Sequence, residues 1–135
     1  MENKVRYHFK KEDKLKSRKA IEQLFATGKT FSHFPFRVVW HPHNEKAILQ
    51  AGVGVSNKNF KKAVDRNRVK RLMREAYRLQ KKELHDELQQ QGGSMSVFFL
   101  YQGKDLPVYK DVFEKMGTAI KRLIKLSHEN IERNT

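Results

Sequence analysis

The order of periodic segments in this chain predicts an α+β (α/β) sandwich, with helices packed on a single sheet inside one domain. Three observations carry that prediction. Apolar residues recur at helical spacing in three separate stretches. The stretches between them alternate, or run apolar, over strand lengths. No internal repeat or long polar linker divides the chain. With 135 residues, 38% of them hydrophobic, the protein can bury about two-thirds of the surface its unfolded form exposes, enough for one core but not two. Residues 1–135 are therefore expected to form one domain, with 1–14 and 127–135 as flexible ends.

The first helix is marked by Ser17 as N-cap, by Ala20, Ile21, Leu24 and Phe25 at helical spacing, and by Gly28 as its stop. Phe34 to Trp40 follows as a strand, Pro42 to Lys46 as a turn, and Ala47 to Val55 as a second strand. In that strand Leu49, Ala51, Val53 and Val55 alternate with Gln50, Gly52, Gly54 and Ser56, leaving a nearly bare second face. Residues 63–91, closed by Gly92 and Gly93, form the longest helix candidate. Advancing about 100° per residue gathers Val69, Leu72, Met73, Ala76, Leu79 and Gln80 into a buried stripe. Glu83 and Glu87 rotate onto that stripe, so the last two turns are expected to project beyond the core. Ser94 to Tyr101 is an apolar run suited to a central strand. Leu106 and Pro107 then open a final helix whose stripe is Val112, Phe113, Met116, Ala119, Ile120, Leu123 and Ile124.

Charge narrows the function. The formal net charge is +14, and residues 56–82 alone hold eleven basic groups against only Asp65 and Glu75. Repulsion within such a cluster opposes folding, and a merely solubilising surface intersperses both signs, so a polyanion partner explains it best. On the helix wheel Lys70, Arg71, Arg74, Arg78, Lys81 and Lys82 form one ridge opposite the apolar stripe, with Asn67 among them. Arginine dominates the ridge, and its planar fork grips phosphate oxygens bidentately. The absence of cysteine removes disulfide scaffolds, zinc ribbons and thiol catalysis. The longest apolar run is Val97 to Tyr101, too short for a membrane span, and the charged first twenty residues fit no signal peptide. A cytoplasmic protein with no membrane or small-molecule partner is expected.

Catalytic motifs are weak. Gly28-Lys29-Thr30 lacks the earlier glycine of a phosphate-binding loop, because Gln23 stands there, and it ends a helix instead of opening one. Gly52-Val53-Gly54 is half of a dinucleotide fingerprint whose third glycine position is Asn57. His41 and His43 have no supporting carboxylates for a metal site. No metal, cofactor or catalytic residue is therefore assigned to the chain itself.

The residues RNRVKRLMREAYR, Arg66 to Arg78, resemble the arginine-asparagine-arginine signature of the protein subunit of bacterial ribonuclease P. The resemblance extends upstream through Gly52, Val55, Ser56, Lys58, Lys62, Ala63 and Val64, and includes Ile21, Leu24, Phe25 and Gly28. It implies three helices on a four-stranded sheet in the order α-β-β-β-α-β-α, with a left-handed β-α-β crossover. It also implies that a large RNA subunit working with divalent metal (Mg) performs catalysis, while the protein binds that RNA and helps it hold precursor tRNA. Arg66, Asn67, Arg68, Lys70, Arg71 and Arg74 match the family's residues facing the RNA subunit, and the ridge adds Arg78, with Lys62 leading into it. Phe25, Ser56 and Lys58 fall where the family lines a cleft for the precursor's single-stranded leader, although Phe25 fits the core of the first helix equally well. Asn57 stands where many relatives have lysine, and Ile21 where the family is often aromatic. Val39 or Trp40 is then a candidate stacking surface, depending on strand register, with core packing the other reading of Trp40. The competing function is a structural ribosomal-type protein bracing folded RNA, which needs the ridge but no aromatic cleft. A helix-turn-helix DNA binder is disfavoured because no short helix joins the basic one through a tight turn.

Overall fold

The computed structural model describes residues 14, 15, 17–43 and 47–134, with side chains to residue 129. Its elements are α1 (Arg18–Thr27), β1 (Lys29–His33), β2 (Phe36–His43), β3 (Leu49–Val55), α2 (Ala63–Gln91), β4 (Ser94–Tyr101) and α3 (Tyr109–Asn134). The strands lie in the order β1-β2-β4-β3. β2 runs antiparallel to both β1 and β4, whereas β3 and β4 are parallel neighbours joined through α2. The element order and single four-stranded sheet that the resemblance implies hold.

α1 starts where the Ser17 hydroxyl accepts from the Ala20 N–H at 3.3 Å and ends where the Gly28 N–H reaches the Leu24 carbonyl at 2.7 Å. β1 was invisible to periodicity because it is an edge strand whose only buried residue is Phe31. The strand expected from Phe34 begins instead at Phe36, since Phe34 and Pro35 make the hairpin turn. β2 runs on through His43, so Pro42 and His43 are strand and not turn, and residues 44–46 of the expected turn lie outside the described residues. β4 is central as expected, between β2 and β3, and six of its eight residues are buried.

Two cores sit on opposite faces of the sheet. Phe36, Val38, Trp40, Leu49, Ala51, Met95, Val97, Phe99 and Tyr101 pack with the inner faces of α2 and α3. On the other face α1 lays Leu24 against Leu15, Val39 and Phe98. The buried stripe of α2 is rotated from the predicted one. Val69, Met73 and Ala76 belong to it, but so do Tyr77, Leu84 and Leu88, while Leu79 is 37% exposed and Leu72 only half-buried. The last two turns therefore do not project. α3 lies along them and covers Leu84 and Leu88, each worth about 1.5–3 kcal/mol of apolar burial. Gln80 lies at this helix-helix contact, and its amide donates to the carbonyls of Ala76 and Phe113 at 3.1 and 3.0 Å. Gly92 closes α2 at φ 72°, a left-handed conformation that costs a residue with a side chain about 1–2 kcal/mol. α3 begins at Tyr109, later than the expected Leu106, and continues through 127–134 with Ser127 buried, so that stretch is helix and not a loose end. The other expected flexible end lies almost wholly outside the described residues. Lys14, its last residue, forms a bridge beside Ala51.

Candidate nucleic-acid interface

Facing away from the sheet, α2 carries the basic ridge into solvent. Asn67, Arg68, Arg71, Arg74 and the capping Lys62 are exposed, and Lys70 is half-exposed. Among the described residues, no carboxylate pairs with Lys62, Arg68, Lys70, Arg71 or Arg74. These five cations are unneutralised, as a phosphate-binding surface requires. Arg78 differs. Its Nε and Nη2 donate to Glu75 Oε1 and Oε2 at 3.1 and 2.7 Å, a fork that holds the Glu75 carboxyl below the usual glutamate range and raises the guanidinium further. Lys82 is likewise paired with Asp86 at 2.5 Å, which holds that carboxyl low.

Arg66 is turned toward the protein. Its Nη1 donates to the carbonyls of Phe60 and Lys61 at 2.8 and 2.7 Å, so it ties the loop after β3 to the first turn of α2. That loop is held elsewhere too. Ser56 Oγ accepts from the Lys58 N–H at 3.3 Å, Asn59 Nδ2 donates to the carbonyls of Gln102 and Gly103, and the buried Phe60 ring lies 6.1 Å from Tyr101. Lys58, Lys61 and Lys62 are thus presented from a fixed backbone, which reduces the ordering entropy lost when a ligand binds.

On the opposite face of the sheet, the strip beside α1 is only half-buried at Gly52, Gly54 and Leu100 and forms the candidate groove. Phe98 and Leu100 of β4 rise from its floor, flanked by Gly52 and Gly54 of β3. A Cβ on Gly54 would stand 2.7 Å from Phe98 Cζ, and one on Gly52 3.0 Å from Phe98 Cδ2. The bare strand face seen in the sequence therefore makes room for this ring. Phe25 meets Phe98 edge to face at 5.3 Å and remains 38% exposed, partly packed and partly open. Register decides the Val39 and Trp40 alternative. Val39 faces α1, while Trp40 faces the α3 side, where Lys29 Nζ stands 5.3 Å from its ring. Both are buried, so neither offers a stacking surface, and the core reading of Trp40 is correct. The exposed aromatic surface on this face belongs instead to Phe25, backed by the buried Phe98, which sequence reading passed over because Val97 and Phe99 beside it are equally apolar.

The structure thus brings Phe25 to the groove, Ser56 and Lys58 to the loop at the end of the sheet, and the cations of α2 to the far side. No group of three or more metal-ligating side chains is assembled among the described residues, and no described helix is long and apolar enough to cross a membrane. The protein-family model for ribonuclease P matches residues 9–124. The chain belongs to the ribonuclease P protein family. It is 37% identical over 115 residues to the ribonuclease P protein component of Porphyromonas gingivalis, covering 84% of each chain. It is 33% identical over 112 residues to that of Clostridium botulinum, covering 83% of this chain and 95% of the relative. Two solved structures share the fold. The ribonuclease P protein of Staphylococcus aureus superposes with a TM-score of 0.68 at 18% identity, over 82% of this chain and 94% of that one. That of Thermotoga maritima gives 0.65 at 24%, over 81% and 96%. As a ribonuclease P protein subunit the chain is part of a tRNA-processing endoribonuclease whose partner is the ribonuclease P RNA. Family membership decides against the ribosomal brace.

Proposed function

We propose that the exposed ridge of α2 docks on the ribonuclease P RNA while the groove beside α1 receives the single-stranded leader of precursor tRNA. Bond cleavage is then the work of the RNA subunit with divalent metal (Mg), in the cytoplasm, and the protein contributes positioning. The observation that carries this reading is the placement of two different surfaces on opposite faces of one sheet, joined by a loop of fixed lysines. The ridge presents Arg68, Lys70, Arg71 and Arg74, which no carboxylate among the described residues neutralises, on a rigid helix, suited to phosphates that a folded RNA holds at set spacing. The groove combines the partly exposed Phe25 ring with Lys58 and the Ser56 hydroxyl at its end, suited to exposed bases and a flexible backbone.

The test is the affinity of reconstituted holoenzyme for precursors with long and very short leaders. Phe25→Ala should weaken binding of the long-leader precursor by about 1–3 kcal/mol if one base stacks there, and leave the short-leader precursor almost unchanged. Equal losses for both, or a global fall in melting temperature, would return Phe25 to the core.

A further inference from the structure

The sheet row under α1 is Thr30, Val39, Phe98 and Gly52, and one step farther from the helix lies the row Ser32, Arg37, Leu100 and Gly54. Cross-strand partners and residues two apart along a strand share a face, so Arg37 stands on the groove side. It is exposed, and among the described residues it has no carboxylate partner. Its neighbours across the strands, Ser32 and Leu100, carry no charge. Its exposed guanidinium is suited to an anion from outside the chain.

Beyond Arg37 lies the tip of the β1–β2 hairpin, where Phe34 is 75% exposed, the second most exposed large hydrophobic side chain of the described fold. The tip is anchored. The Gln102 N–H donates to the Pro35 carbonyl at 2.7 Å, and Asn59 Nδ2 binds the Gln102 carbonyl at 3.1 Å. One end of the sheet thereby collects a solvent-facing aromatic, an unpaired arginine and the Ser56–Lys58 loop. Interleaved aromatic and cationic side chains suit single-stranded nucleic acid, whose bases stack while its phosphates are neutralised.

We infer that the leader track does not end at Phe25. Arg37 binds a leader phosphate in the row beyond α1, and Phe34 offers a stacking face to a base at the hairpin tip, so a longer leader gains contacts that a short one lacks. This inference rests on the groove being the leader site, and the experiment separates the two.

Holoenzyme is reconstituted with Arg37→Ala, Phe34→Ala or Phe25→Ala protein, and its affinity is measured for precursors with graded leader lengths. Arg37→Ala should weaken long-leader binding about 3- to 10-fold and make the salt dependence shallower by about 0.7 in log-log slope. Phe34→Ala should cost about 5-fold or more, and the shortest leader should bind as to the parent. Losses at Phe25 without losses at Arg37 and Phe34 overturn the extension and keep the groove. Parent-like binding by all three variants overturns the groove reading itself. Equal losses for long and short leaders at Arg37 or Phe34, with weaker binding of the RNA subunit, assign the hairpin to that RNA and overturn the inference. Photocrosslinking of unmodified holoenzyme to a leader carrying a photoreactive base gives a readout independent of substitution. An adduct within residues 32–37 is expected, and adducts confined to other parts of the groove face would refute it.

Discussion

Arg66 separates a structural from an RNA-facing role more sharply than any other residue of the ridge. Arg66→Ala removes both hydrogen bonds from Nη1, to the Phe60 and Lys61 carbonyls at 2.8 and 2.7 Å. A hydrogen bond from a charged donor is worth about 1.5–3 kcal/mol when buried. Here one bond is half-buried and the other exposed, and the freed carbonyls can hydrate, so the expected loss for the pair is about 1–2 kcal/mol. That corresponds to a fall of about 2–8 °C in melting temperature for a chain of this size. Arg71→Ala, on the same helix but exposed and without a hydrogen bond or ion pair among the described residues, should melt within about 1 °C of the parent, because surface changes seldom exceed about 0.5 kcal/mol. Thermal unfolding by circular dichroism measures both, and filter binding to the ribonuclease P RNA measures the second property. Arg66→Ala should lose stability and affinity together, and Arg71→Ala affinity alone. The reasoning is refuted if Arg66→Ala melts with the parent, or if Arg71→Ala melts as low as Arg66→Ala.

Leu84→Ala should cost about 2–5 kcal/mol in denaturant unfolding through the cavity it leaves between α2 and α3, against about 0.5 kcal/mol for Leu79→Ala; comparable losses would place the buried stripe where the sequence put it. Gly54→Ala should destabilise by about 1–3 kcal/mol and weaken long-leader binding, since its Cβ meets Phe98 and displaces the groove floor; a variant that keeps both properties would show the ring shifts freely. The Glu75 carboxyl should titrate below ordinary glutamate in an NMR experiment and move upward in Arg78→Ala. Because its folded pKa is lowered, the pair's small surface contribution is present above the unfolded carboxyl pKa and fades as pH falls through the folded one, so an unshifted midpoint would deny the fork.

Where one residue type has one physical consequence, the sequence by itself determined the outcome. Ser17 and Gly28 bounded α1, Gly92 ended α2, the apolar run of Ser94 to Tyr101 made a central strand, and the crowded cations between 56 and 82 demanded a polyanion. Family membership was written in Arg66 to Arg78, because that order of arginines and asparagine has little reason to recur without its partner. Tertiary structure decided what depends on neighbours distant in the chain. β1 has one inward residue, so only pairing with β2 reveals it. The rotation of α2 was set by α3, which covers Leu84 and Leu88 and leaves Leu79 outside, and a helix wheel of α2 alone contains no such partner. Trp40 and Val39 differ by one position, and strand register sent them to opposite faces of the sheet, both into cores. Arg66 looks like its neighbours in the sequence, yet two carbonyls brought close by the loop after β3 turn it inward. Arg37, unremarkable along the chain, acquires its setting only because β2, β4 and β3 align it with Leu100 and Gly54, whose missing side chain makes room for the Phe98 ring.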